Sequence, residues 1–251
     1  MNNNYFISIV TLVLIMSCKQ EVHLTRIEGK RIEINDSLSE NQDIENFIKP
    51  YRDHVNKGLD SVLAYSIATY TKNDGELNTG LGNFMADAVM EMANPIFKAR
   101  TGNSIDIVML NHGGIRSILP KGDVTSRTAY NLMPFENSVV VTGLKGTSVK
   151  DLVDYLQKAK RAHPISGLSI KVNSDFKLLE AKVGNKPIDN NKTYYVATND
   201  YLYNGGDNMN FFKQGDSLYK LDYKVRNVFI DYFKKVDTLN LSADDRFIKT
   251  N

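Results

Sequence analysis

At 251 residues, with 42% hydrophobic, 24% charged and 10% aromatic side chains, the chain has the composition of a globular protein with a real core, which excludes a disordered or fibrous one. Its 31 Lys and Arg stand against 29 Asp and Glu, a net charge of +2 with no basic run long enough for a nucleic-acid footprint, which argues against nucleic acid as a partner. One cysteine offers neither a disulfide nor a thiolate metal site within the chain.

Residues 1–17 carry no charged side chain and contain an apolar run from Tyr5 to Met16. The run is about a dozen residues, short of the roughly 20 that a membrane-spanning helix needs and of the size of a signal-peptide core. Ile15-Met16-Ser17-Cys18 follows, and this small residue directly before the cysteine resembles a bacterial lipobox. The resemblance implies a signal peptide over 1–17 and lipidation of Cys18. It also implies a place in the cell envelope, periplasmic or outer-membrane associated, held to the membrane through the lipid anchor alone. The alternative is a buried N-terminal strand with an incidental thiol. Residues 18–42 read as a tether, with alternation from Arg26 to Ile34 around Gly29-Lys30 predicting a small hairpin.

From residue 43 the pattern changes. Ile44, Phe47, Ile48, Tyr51, Val55 and Leu59 recur at helical spacing around a kink at Pro50, and Leu63 to Thr71 reads as a strand. Thr79 to Phe97 carries the helical face Leu81, Phe84, Met85, Ala88, Val89 and Met92, with Thr79 as its cap. Ile105 to Leu110 is the apolar run of a buried strand that stops at a Gly-Gly turn. A strand at Ser138 to Leu144, a helix at Thr147 to Ala159 and strands at Leu168 to Val172, Leu178 to Val183 and Tyr194 to Thr198 follow, before a last helix from Tyr223 to Lys235. With no internal repeat, 43–251 is expected to form one α+β domain.

Three loops at the ends of predicted strands hold glycines beside polar or aromatic residues, the usual location of ligand sites in sheet proteins. Asn111-His112-Gly113-Gly114-Ile115-Arg116 combines a pair of glycines, which lets backbone approach a ligand, with a planar cation suited to phosphate or carboxylate. Taken alone, most Gly-Gly turns followed by Arg are only turns. Met133-Pro134-Phe135-Glu136-Asn137 presents an aromatic ring just before a strand, a position more often filled by a core residue. Asn199 to Asp207 gathers Tyr201, Gly205, Gly206 and Asp207, a set able to stack a base and bind hydroxyls, or a plain surface turn.

Together the three loops resemble, in order and spacing, the C-terminal substrate-binding domain of the 5'-nucleotidase family. Leu81-Gly82-Asn83-Phe84-Met85-Ala86-Asp87-Ala88, Gly122-Asp123-Val124-Thr125 and Ser166-Gly167-Leu168 extend the resemblance over about Leu63 to Phe233. It implies a mixed sheet flanked by helices and a nucleotide or nucleoside ligand. It further implies that Phe135 and Tyr201 clamp the base, that Asn137 helps to hold it, and that Asp207 binds ribose hydroxyls. Arg116 would lie on the phosphate side, in the loop that includes Asn111, Gly113 and Gly114. Where the family carries further arginines before the Leu-Gly-Asn helix, this chain has Lys72-Asn73-Asp74-Gly75-Glu76. A lysine there does not replace a bidentate arginine.

In that family hydrolysis belongs to a metallophosphoesterase domain whose divalent metals activate water. His23, His54, His112 and His163 are spread apart, and Gly113 follows Asn111-His112 where a ligand set would need an acid. The roughly 40 residues before the domain are fewer than the 100 or so of a typical catalytic domain. No Gly-x-Ser-x-Gly elbow or P-loop offers another route. The expectation is therefore a chain with no catalytic residue, no metal ligand and no cofactor of its own. Two readings stand: the nucleotide-binding half of a split 5'-nucleotidase or UDP-sugar hydrolase, served by a separate metallophosphoesterase subunit that holds the metals, or a stand-alone nucleotide- or nucleoside-binding lipoprotein.

Overall fold

The computed structural model describes residues 23–250, so the expected signal peptide over 1–17 and Cys18 lie outside the described residues. Residues 23–35 contain no strand, and the hairpin expected around Gly29-Lys30 is not formed. Ile27, Ile32 and Ile34 are 82%, 81% and 90% exposed, and a two-stranded ribbon without a buried face has nothing to fix its register. The chain divides into two units between Ile48 and Lys49, inside helix α1 (Gln42–Leu59). Asn41 opens that helix, its Oδ1 accepting from the N–H groups of Asp43 and Ile44 at 3.0 and 3.2 Å.

The second unit is built on three sheets. β1 (Val62–Ser66) lies between β11 (Thr238–Leu239), parallel to it, and β3 (Gly122–Thr125), antiparallel to it. The expected strand to Thr71 ends early because Ser66 turns the chain with a 2.8 Å bond from Oγ to the Ala68 carbonyl; Tyr70 then pairs with Leu119. The central sheet has the order β10 (Leu218–Lys224), β4 (Ser138–Lys145), β9 (Thr193–Asn199), β2 (Ile107–Met109), β5 (Ile165–Ser166). The third runs β12 (Phe247–Lys249), β6 (Leu168–Val172), β7 (Leu178–Val183), β8 (Lys186–Pro187).

Helices cover both faces of the central sheet. Val108, Val139, Val141 and Ala197 pack on the side of α2 (Gly80–Thr101) and α6 (Val225–Lys235), where Phe84 stacks on Phe233 with centroids 5.6 Å apart. Ile107, Met109, Tyr194 and Val196 face α4 (Gly146–Ala159) through Leu152 and Leu156. Burial on both faces is what the uninterrupted apolar run Ile107 to Leu110 requires. Thr79 caps α2 as expected, accepting from Gly82 N at 3.1 Å, and the helix continues past Phe97 until Gly102 ends it at φ 76°. The short α3 (Ser126–Leu132), β3 and β10 were not foreseen; α6 accordingly starts at Val225, because Tyr223 and Lys224 still belong to β10.

The topology explains why three distant loops converge. β2 and β9 run parallel, so the segments after Met109 and after Asn199 leave the same edge of the sheet. β4 is antiparallel to β9 in the register Val139↔Asn199, which brings the segment entering β4 to that edge as well.

Candidate functional site

Each loop holds its side chains by local constraints. In the first, His112–Gly114 forms one 3-10 turn in which Gly114 N donates to Asn111 O at 3.0 Å. A Cβ on Gly114 would stand 2.8 Å from Asn111 Oδ1, so a side chain there would drive Asn111 from its place. That place matters, since Asn111 Nδ2 donates to Asp207 Oδ2 at 2.7 Å and joins the first loop to the third. Arg116 N donates to Leu132 O at 3.0 Å, joining the first loop to the second.

In the third loop Asn199 caps the single helical turn α5 (Asp200–Tyr203), its Oδ1 accepting from Leu202 N at 2.8 Å. The Tyr201 ring then folds onto Gly206 so closely that a Cβ would come within 2.4 Å of Cε1. Tyr201 Oη donates to Asp207 Oδ1 at 2.9 Å, and this bond to the carboxylate, ahead of burial, raises the phenol pKa. Asp207 sits at φ 52°, in the left-handed region, with its carbonyl accepting from Tyr155 Oη at 3.0 Å. In the second loop Asn137 Nδ2 donates to Asp200 Oδ1 at 2.8 Å, and the Arg116 guanidinium carbon lies 5.7 Å from the Phe135 ring centroid.

Asn111, Gly113, Gly114, Arg116, Phe135, Asn137, Tyr201 and Asp207 line one cavity of about 600 Å³, together with Met133 and Glu136. That is the size of a pocket for a small organic ligand. Phe135 and Tyr201 are 43% and 47% exposed, so neither ring is spent on the core. The chemistry offered is two aromatic faces, a carboxylate with room for further donors and a guanidinium at the rim.

A second recess of about 400 Å³ shares Gly113 with the first and is lined by Lys72, Glu76, His112, Lys160 and Arg161. Lys72 Nζ donates to Ile115 O at 2.9 Å. Burial lowers the His112 pKa, and the positive charges of Lys72 and Arg161 lower it further against the Ala162 carbonyl. His163 is buried more deeply, and burial, then His112, pushes it down to about 4; its Nδ1 accepts from His112 N at 3.3 Å. The short basic run Lys158-Ala159-Lys160-Arg161 carries no sign in the sequence that the fold sets Lys160 and Arg161 beside Lys72. Among the described residues no group of three or more His, Cys, Asp or Glu could hold a metal ion, and no helix is long and apolar enough to cross a membrane.

Residues 60–214 match the model of the 5'-nucleotidase C-terminal domain family. The trifunctional nucleotide phosphoesterase protein YfkN of Bacillus subtilis is 31% identical over 172 residues, 63% of this chain and 11% of that protein. Protein UshA of Escherichia coli is 26% identical over 204 residues, 76% of this chain and 34% of that one. A 5'-nucleotidase precursor from Thermus thermophilus superposes with a TM-score of 0.68 at 23% identity, over 84% of this chain and 44% of that chain. The chain thus spans less than half the length of each of these proteins.

Proposed function

The chain belongs to the 5'-nucleotidase C-terminal domain family, and on that premise we propose that it is the nucleotide-binding half of a divided 5'-nucleotidase or UDP-sugar hydrolase. In this reading a separate metallophosphoesterase supplies the divalent metals, and Cys18 carries the lipid that keeps the protein in the cell envelope. The observation that carries the proposal is the single cavity where two half-exposed rings, Phe135 and Tyr201, stand with Asp207 and Arg116. A base enters between the rings, each face contributing about 1 to 3 kcal/mol whatever the base. The ribose reaches Asp207, and the charged end points to Arg116 and on past Gly113 toward Lys72 and Arg161.

A second reading, a stand-alone lipoprotein that captures nucleosides or nucleotides, is favoured by Lys72-Asn73-Asp74-Gly75-Glu76, which offers one lysine where the family has arginines. Calorimetric titration with adenosine, AMP and UDP-glucose tests the ligand class, and an assay with an added metallophosphoesterase separates the two. Tighter binding of AMP than of adenosine, lost in Arg116→Ala, supports the divided hydrolase; equal binding supports capture of nucleosides. The divided system further requires no phosphate release from AMP by the chain alone with Mn, Co, Zn or Mg, and turnover of an added metallophosphoesterase that rises in its presence. Metal-dependent hydrolysis by the chain alone that disappears in Asp207→Asn would overturn it. No binding of any of the three ligands would overturn both readings.

A further inference from the structure

The second residue of α6 is Arg226, which is 5% exposed. A buried guanidinium is costly unless its donors are met, and here they are met incompletely. One terminal nitrogen donates to the Glu136 carboxylate, the other reaches the Pro134 carbonyl at a long 3.5 Å, and the Nε–H meets no acceptor among the described residues. The guanidinium carbon lies 4.0 Å from the Tyr130 ring centroid, so the tyrosine face supplies part of the missing stabilisation. Apolar replacements of buried ion pairs are often neutral or stabilising. What the arginine does that an apolar group cannot is grip both neighbours of Phe135.

The adjoining residues grip the same segment. Lys224 Nζ donates to the Glu136 carbonyl at 2.6 Å, and Val225 N donates to the Asn137 carbonyl at 3.0 Å. Residues 224–226 thereby hold Pro134, Glu136 and Asn137, while the Phe135 ring between them is 43% exposed. We propose that Arg226 is a positioning residue for the base platform: by holding the Pro134 carbonyl on one side of Phe135 and the Glu136 carboxylate on the other, it sets the place of the ring between them. The proposal rests on the reading of Phe135 as a stacking face, and its test has one arm that needs no ligand.

The chain contains no tryptophan, so Phe135→Trp gives an emission that reports on this position alone. Adding Arg226→Met should lower the anisotropy of that emission and raise its quenching by acrylamide while far-ultraviolet circular dichroism stays unchanged. Unchanged anisotropy and quenching overturn the proposal. The second arm is a cycle with adenosine. Arg226→Met should weaken binding about tenfold when Phe135 is present and leave it unchanged in Phe135→Ala, because the arginine acts through the ring. Equal weakening in both backgrounds shows a general structural role and overturns the proposal. If no variant, wild type included, binds adenosine, the nucleoside reading fails while the tryptophan arm still decides the role of Arg226. Should Arg226→Met not fold, Glu136→Gln removes the ionic partner of the guanidinium from the exposed side, and the same two arms apply with a smaller loss of the same pattern.

Discussion

Tyr201→Phe separates the face of the tyrosine from its hydroxyl. Before any ligand arrives, Tyr201 and Asn111 already engage the two carboxylate oxygens of Asp207 at 2.9 and 2.7 Å. A ribose diol that reaches Asp207 must share or displace the phenol. A hydrogen bond to an ionised acceptor is worth about 1.5 to 3 kcal/mol when shielded from water. Tyr201 is 47% exposed, and screening reduces that to roughly 1 kcal/mol. Phenylalanine keeps the stacking face and releases the carboxylate, so adenosine should bind Tyr201→Phe up to about fivefold more tightly than wild type, the equivalent of 1 kcal/mol. Tyr201→Ala should lose the stack, about 1 to 3 kcal/mol or roughly 5- to 150-fold. Calorimetry with adenosine and 2',3'-dideoxyadenosine checks the argument, because the gain in Tyr201→Phe should vanish for a ligand without the diol. If Tyr201→Phe weakens adenosine as much as Tyr201→Ala does, the hydroxyl is the contact and the stacking argument is refuted.

Gly206→Ala places a methyl within 2.4 Å of Tyr201 Cε1, so the ring must leave its seat; adenosine affinity measured by calorimetry should fall toward that of Tyr201→Ala, and full affinity would mean that the ring position is irrelevant. For His163, lowered in the fold from 6.5 to about 4, the unfolded chain binds the extra proton first as pH falls. Stability should therefore be lost between pH 6.5 and 4 by roughly 3 kcal/mol and be intact above 6.5; urea unfolding of His163→Asn should show a flatter dependence there. Mass spectrometry of the protein from its native cells should find a mature chain that starts at a lipidated Cys18, with Cys18→Ala released or unprocessed; an unmodified chain starting at Met1 would remove the proposed anchor.

The parts of this molecule that could be read from the chain are those whose signal is local. Apolar runs and helical faces announced β2, β4, β6, β7, β9, α2 and α4, and the glycine loops announced that backbone would come close to something. β10 escaped because Leu218 to Lys224 mixes lysines and aspartate with apolar residues and buries Leu221 alone, while seven residues of α3 are too few to show a period. The alternation around Gly29-Lys30 forms no hairpin, since alternation yields a strand only where a second layer exists to cover one face. Relations across the chain were the least legible. That Lys72 lies beside Arg161, or that an arginine on an amphipathic helix turns inward to Glu136, depends on tertiary geometry that no window of sequence contains.

The central sheet described above is covered on both faces, with Ile107 and Met109 in one core and Val108 in the other. Sliding a strand by one residue would exchange the contents of two cores at once, a mistake that neither could absorb. Strand lengths in β2, β4 and β9 are therefore frozen, whereas the loops that leave their shared edge answer to no such constraint. The binding face can be treated as an interchangeable fitting on a rigid frame. The Asn199 to Asp207 segment, transplanted together with Asn111 and Asn137 that bind its carboxylates, is the unit in which ligand preference could drift in nature or be rewritten at the bench.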